Sequence, residues 1–347
     1  MIHDTQSIPL VDLKKQYHSI KTEIDEAIQR VLDSQQFILG SEVSEFEKEI
    51  SAYCNVKYAI GVSSGSDALL VALMALGIKP RDEVITSSYS FFATAGAIAR
   101  LGAKPVFVDI EPESYNIDPN KIEELITSRT KAIIPVHLYG QMANMNEISK
   151  IAKENSIDLI EDAAQSIGAD INGLTAGSFG KMGCFSFFPT KNLGAYGDGG
   201  LITTNDDQIA KKLFSLRNHG FSKKYHSEIL GGNFRLDSIQ AAILRVKLRH
   251  LNKWIASRQG NASKYEKFFS NQNNSPKKQN NPKIRMPVET PGYKHVYNQF
   301  VVRVTNRDEL YKYLKNNHIG SEIYYPIPLH QQPCFNANGQ TNKNLVQ

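Results

Sequence analysis

The chain has 347 residues, 41% hydrophobic and 22% charged, the make-up of an ordinary globular protein long enough for one large domain and a smaller one. A net charge of +5 suits an anionic small substrate or cofactor, while the 40 lysines and arginines form no aromatic-interleaved basic block of the kind that binds nucleic acid. Cys54, Cys184 and Cys334 have neither metal-site nor disulfide spacing, the N-terminus lacks the regions of a signal peptide, and no run approaches a membrane span, so the expectation is a cytoplasmic protein without a metal.

Four-residue spacing of Ile20, Ile24, Ile28 and Leu32 predicts a helix over 20–32. A second follows over 44–53, with Ser44 as N-cap and Glu47 completing a capping box. From Tyr58 the pattern alternates. Strands are predicted at 58–62, 83–86, 105–108, 132–136, 158–161, 184–188 and 201–204. Between them lie helices at 67–76, 93–100, about 122–126 and 146–153, and a further one follows at 207–218. Short apolar strands alternating with helices give a mostly parallel sheet covered on both faces, with ligands beyond the carboxyl ends of its strands. A long helix over 237–257 and a polar loop over 271–283 lead to a small α+β domain, with strands at 297–304 and 320–324 around a helix at 308–316.

Four features stand at strand ends or helix starts. Ser63-Ser64-Gly65-Ser66 offers backbone N–H groups and hydroxyls at a helix N-terminus, a phosphate cradle. Phe91 and Phe92 follow the second strand, where an exposed ring can stack on a planar group. Glu161 and Asp162 end an apolar strand, and a carboxylate there can pair with a protonated heterocyclic nitrogen. Lys191 stands between the 184–188 strand and a loop containing Gly194, Gly197, Gly199 and Gly200, glycines that permit close backbone approach or positive φ. Taken singly, each has a plain structural reading as cap, core aromatic or surface charge. Together they supply what pyridoxal 5′-phosphate requires: phosphate cradle, ring-stacking aromatic, acid for the ring nitrogen and Schiff-base lysine. The glycine loop does not fit a dinucleotide fingerprint, because it precedes a strand.

The stretches GSDALL (65–70), SFFATA (90–95), PVHLYG (135–140), EDAAQS (161–166), SFFPTK (186–191), GDGG (197–200) and GNFRLD (232–237) resemble the DegT/DnrJ/EryC1/StrS sugar aminotransferases. That resemblance implies a fold-type I pyridoxal-phosphate enzyme: a large cofactor-binding domain over residues 1–250 with a mostly parallel seven-stranded sheet and an N-terminal helical arm, then a smaller domain over 251–347. It implies Lys191 as the Schiff-base lysine and proton carrier, Asp162 on the pyridine nitrogen, Gln165 near the ring hydroxyl and Phe91 stacked on the ring. Ser64, Gly65, Ser66 and Ser186 would hold the phosphate, with Asn233 reaching it from the neighbouring subunit of an obligate homodimer. Ser66 replaces the family's usual threonine and keeps the hydroxyl. The family normally continues past residues 325–330 through a further strand and helix, whereas here a polar tail runs to Gln347, so the small domain is expected to be cut short.

The activity implied is transfer of an amino group from L-glutamate to a nucleotide-linked keto-sugar, for surface polysaccharides such as O-antigen or related glycans. Tyr225, His226 and the 324–330 segment resemble the branch that aminates C3 of a 3-keto sugar, and Arg235 and His330 are candidates for diphosphate or sugar oxygens, Arg235 equally for an interface salt bridge. Two alternatives are a pyridoxal-phosphate sugar dehydratase, expected to carry histidine in place of Lys191, and a cofactor-binding regulator, expected to lose Lys191 or Asp162. A plain sugar-nucleotide binding module leaves that pair unexplained.

Overall fold

The computed structural model describes residues 7–273 and 284–336. Its centre is a seven-stranded sheet of Tyr58–Val62 (β1), Glu83–Ser87 (β2), Lys104–Val108 (β3), Thr130–Ile134 (β4), Asp158–Asp162 (β5), Met182–Ser186 (β6) and Gly200–Thr204 (β7), in the order β1-β7-β6-β5-β4-β2-β3. Only β7 runs against the others, pairing antiparallel with β1 and β6. The carboxyl ends of β1, β2, β4, β5 and β6 therefore share one edge.

Neighbouring residues along a strand point to opposite faces, and both faces are buried. Ile160, Cys184 and Ile202 face a core that includes Leu69, Leu73 and Leu213. Leu159, Phe185 and Leu201 face a second, with Phe46, Ile50, Ile148 and Leu244. Burial on both sides is why these strands read as continuous apolar runs.

The helices are Leu13–Ser19 (α1), Lys21–Ser34 (α2), Ser41–Tyr53 (α3), Gly65–Leu76 (α4), Ala93–Arg100 (α5), Met145–Glu154 (α6), Asp207–Leu216 (α7), Ser238–Asn273 (α8) and Arg307–Asn316 (α9), with a single turn at Pro333–Asn336 (α10). The helix expected near 122–126 is a pair of 3-10 turns, Pro119–Lys121 and Glu123–Leu125. The capping box does not form, because α3 begins at Ser41 after Gly40 and Ser44 lies one turn inside, its Oγ donating to the Ser41 carbonyl at 2.9 Å. Glu47 instead reaches across to Arg217 and accepts from Gly61 N at 2.7 Å. Helix α8 runs 36 residues, well past the expected 257, through a stretch that contains no proline.

The C-terminal part departs most from expectation. Over 297–304 only Arg303–Val304 is a strand, paired with Ile284–Arg285. Tyr297 has φ +44, and Arg258 Nη1 donates to the Tyr297 and Asn298 carbonyls at 3.0 and 3.2 Å, occupying acceptors that a ladder would use. No strand forms over 320–324. Gly320 N donates to Ile8 O at 2.7 Å, while Tyr324 O accepts from the Tyr139 hydroxyl at 2.9 Å and from the Tyr89 hydroxyl. The expected polar loop lies outside the described residues apart from its first three, which continue α8, and residues 337–347 of the polar tail also lie outside them. Among the described residues no helix is long and apolar enough to cross a membrane.

Candidate active site

The strand ends converge on Asp162, the last residue of β5 and 4% exposed. Its Oδ2 accepts from Thr94 Oγ1 at 2.7 Å and its Oδ1 from Ala164 N at 3.2 Å. Burial pushes the carboxyl above its usual range, against the opposing pull of the Thr94 hydroxyl, the Ala164 N–H and the nearby Lys191 charge. Its neighbour Glu161 faces the other way and is spent on structure. Glu161 Oε1 accepts from Phe179 N and Gly180 N at 2.8 and 2.7 Å, and Oε2 from Gly177 N and His137 Nε2 at 2.9 Å each. His137 Nδ1 accepts from Ala143 N at 3.2 Å, so its other nitrogen carries the proton donated to Glu161.

Lys191 sits in a loop that leaves β6 and returns: Lys191 N donates to Phe188 O at 2.9 Å and Ala195 N to Phe187 O at 2.8 Å. Burial pushes its amine down to about 8, only partly offset by the Asp162 charge. Gln165, 6% exposed, accepts from Tyr139 N at 2.6 Å and donates to the Tyr325 hydroxyl at 3.1 Å. Phe91 is 59% exposed, with its ring 6.5 Å from that of Tyr325. An aromatic left this open has a face available to a planar group.

Helix α4 opens at Gly65 beside the end of β6. Ser64 caps it, its Oγ accepting from Asp67 N at 3.0 Å and leaving the hydroxyl proton to present outward. A methyl on Gly65 would lie 2.5 Å from Ser186 Cβ, so only glycine lets the helix N-terminus and Ser186 meet. Gly194 and Gly200 serve the same purpose rather than positive φ, since a side chain would strike the Pro189 carbonyl at one and the Ser64 carbonyl at the other. These glycines bring backbone to backbone.

The residues at these strand ends fit pyridoxal phosphate. The cradle between Gly65 and Ser186 leaves no room for a Cβ, the buried Asp162 carboxylate has no directly bonded cation among the described residues, and Lys191 Nζ has no hydrogen-bond or ion-pair partner among them. A heterocycle with a protonated nitrogen, an anionic tail and an aldehyde complements all three.

Of the remaining predicted residues, Arg235 shares a cavity with Ser64, whereas Asn233, Tyr225, His226 and His330 stand apart from this group. Asn233 is exposed, on the segment that crosses the end of β1 through the bond from Ser63 N to Phe234 O. Arg235 lines a cavity of about 440 Å³ with Ser63, Ser64 and Asp198, where its Nη1 donates to Asn218 Oδ1 at 2.9 Å and its Nε is buried without a partner. Tyr225, 84% exposed, and His226 occupy a hairpin and touch none of the central residues. His330 lies on the Leu329–Gln331 turn against Phe107, with Nδ1 buried and unpaired and its protonation disfavoured by burial. Thr94, Tyr139 and Tyr325 were not singled out from the sequence, although all three lie inside the quoted SFFATA, PVHLYG and 324–330 stretches.

A model of the DegT/DnrJ/EryC1/StrS aminotransferase family matches residues 18–347. The chain is 49% identical over 341 residues to a Geobacillus stearothermophilus protein named pleiotropic regulatory protein, covering 98% of this chain and 90% of that one. It is 44% identical over 336 residues to UDP-N-acetyl-3-dehydro-alpha-D-glucosamine 3-aminotransferase of Acidithiobacillus ferrooxidans, covering 97% and 88%. Among solved structures it superposes on Streptomyces venezuelae DesV in complex with a ketimine intermediate, with TM-score 0.91 and 40% identity over 98% of this chain and 89% of that one. With the strand order, the Asp162–Lys191 centre and the glycine-lined cradle in place, the chain belongs to the DegT/DnrJ/EryC1/StrS aminotransferase family.

Proposed function

We propose that this pyridoxal-phosphate-dependent nucleotide-sugar aminotransferase moves the amino group of L-glutamate to the C3 ketone of a dTDP- or UDP-linked 3-keto-hexose, in the cytoplasm, to supply amino sugar for surface polysaccharide. The observation that carries the catalytic reading is the pairing of a buried, cation-seeking carboxylate, Asp162, with a lysine whose burial favours its neutral form.

Bound cofactor supplies an electron sink for the carbanion that forms at the donor α-carbon. Lys191 would hold it covalently and, when free, its amine would carry a proton from that carbon. An amine with a pKa near 8 is about one-tenth neutral at pH 7, against roughly one part in three thousand at the ordinary lysine value. Asp162 would keep the ring nitrogen protonated, and Gln165, fixed by Tyr139 N and the Tyr325 hydroxyl, would serve the ring hydroxyl. Phe91, whose ring is left exposed, would stack on the cofactor ring. Gly65, Ser66, Ser64 and Ser186 would hold the phosphate at the N-terminus of α4.

The exposure of Asn233, away from its own centre, supports its service to a neighbouring subunit in a homodimer with shared sites. Tyr225 and His226 on their projecting hairpin fit the same arrangement. The unpaired Nε of Arg235 and Nδ1 of His330 are donors or acceptors suited to diphosphate and sugar oxygens. Residues 1–250 form the cofactor-binding part and 251–347 the smaller part in this reading, with α8 running through both. A regulatory role without turnover needs neither Lys191 nor Asp162, and a dehydratase of this family would lack the lysine.

The test is spectroscopic. Wild-type protein is expected to show the visible band of a lysine-bound cofactor and to lose it on adding glutamate, whereas Lys191→Ala shows neither; nucleotide 3- and 4-keto-sugars are then compared as acceptors. A wild type that takes up no pyridoxal phosphate refutes the catalytic assignment, and preference for a 4-keto acceptor refutes the C3 assignment alone.

A further inference from the structure

Lys247, the tenth residue of α8, is 1% exposed. Its Nζ donates to the Gly194 carbonyl at 2.5 Å and lies 4.8 Å from the centre of the Tyr196 ring. No carboxylate pairs with it among the described residues, and burial pushes its amine down to about 8. A lysine desolvated without a counter-charge costs stability, which an apolar side chain on the same helix would avoid.

What that cost secures lies three residues from Lys191. The Lys191 loop closes through Ala195 N and Phe187 O, and Gly194 packs against the Pro189 carbonyl, leaving little slack. Lys247 takes the Gly194 carbonyl at the closing point. Two turns earlier on the same helix, Gln240 accepts from Tyr196 N at 2.8 Å. Three turns later, Arg258 holds the Tyr297 and Asn298 carbonyls and Gln259 Nε2 donates to His295 O at 3.0 Å. That second segment returns to the loop, because Asn192, adjacent to Lys191, donates to Val296 O at 3.0 Å.

We infer that Lys247 is a positioning residue, its amine bonded to the Gly194 carbonyl to fix the 187–195 loop that presents Lys191, with helix α8 as the common support for both flanks of that loop. The inference rests on Lys191 being the cofactor lysine, as proposed above.

The experiment uses holoenzyme carrying Lys247→Met, which removes the donor, or Lys247→Gln, which keeps a neutral one. Val246→Ala, a buried truncation on α8 facing the N-terminal helices, controls for lost stability. Cofactor release after dilution is followed by visible absorbance, and the glutamate half-reaction by single turnover. Loss of a hydrogen bond from a charged group predicts about tenfold faster release and an about tenfold slower half-reaction for Lys247→Met, with acceptor KM unchanged and partial recovery in Lys247→Gln. Parity of Lys247→Met with Val246→Ala in both readouts overturns the inference. If the methionine variant does not fold, Lys247→Gln is read alone: release faster than in Val246→Ala supports the inference and parity overturns it. A wild type that binds no cofactor, or a Lys191→Ala variant that still shows the visible band, fails the earlier reading instead.

Discussion

The bond from Thr94 Oγ1 to Asp162 Oδ2, at 2.7 Å between fully buried partners, makes a specific demand on catalysis. Replacing Thr94 with valine keeps the shape of a side chain that is 0% exposed and removes only the hydroxyl. Among the influences that oppose burial at Asp162, that hydroxyl is the largest, so its loss raises the carboxyl further and, in the role proposed for Asp162, weakens its hold on a ring proton. A hydrogen bond to a charged group contributes about 1.5–3 kcal/mol, or about ten- to a hundredfold in a step that needs the carboxylate charged. Single-turnover reaction of the holoenzyme with glutamate reads that step directly. Thr94→Val is expected to slow it by that factor, Thr94→Ser to restore most of the rate, and Asp162→Ala to slow it more than either. A valine variant with wild-type rate and spectrum would show that Asp162 keeps its charge without help from Thr94, and the assigned electrostatics would fail.

Two predictions concern stability. His295 is buried, stacked on Tyr297 at 3.9 Å and held near a pKa of about 3 by burial, below the ordinary 6.5, so the unfolded chain binds its proton more readily; stability is fully present above pH 6.5 and falls as pH drops towards 3, by about 1.4 kcal/mol at pH 5.5. Denaturant melts at pH 7.5 and 5.5 in wild type and His295→Gln test this, the variant losing that part of the acid sensitivity. Gly200→Ala drives a methyl into the Ser64 carbonyl at the start of α4 and is expected to cost about 1–3 kcal/mol and speed cofactor release, whereas Gly260→Ala, with open space around it inside α8, is expected to stabilise by about 0.5–1 kcal/mol.

The sheet was legible because its strands are buried on both faces. Apolar runs at 58–62, 83–86 and 158–161 announce themselves whatever the tertiary context. The C-terminal part carried no such signal, for its backbone is held by individual side chains rather than by a ladder. Arg258 and Gln259 bind carbonyls in the 295–298 segment, and Tyr89 and Tyr139 bind the Tyr324 carbonyl, so the alternation over 297–304 described a strand that other donors prevent from forming. The capping box failed because α3 begins a turn earlier, at Ser41, and Glu47 is free to bond Arg217 170 residues away. The candidate centre was legible because its parts lie at successive strand ends. Lys247 was not, since one lysine in an amphipathic helix looks like any other until the helix is seen to pass beneath the Lys191 loop.

Glu161 and Asp162 show how adjacent residues of one type acquire different work. Strand alternation sends them to opposite faces of β5. Glu161 meets three backbone N–H groups and the His137 ring, a set that satisfies a carboxylate and joins the Gly177–Gly180 turn to β4 and β5. Asp162 meets one hydroxyl and one backbone N–H, which leaves acceptor capacity open towards Lys191. A buried acid that is fully bonded is structural, whereas one left short of donors and cations seeks a charged partner. The same contrast separates the two buried lysines: Lys247 on α8 spends its amine on Gly194, and Lys191 keeps its own uncommitted. The site is therefore defined as much by the groups that the fold declines to satisfy as by those it brings together.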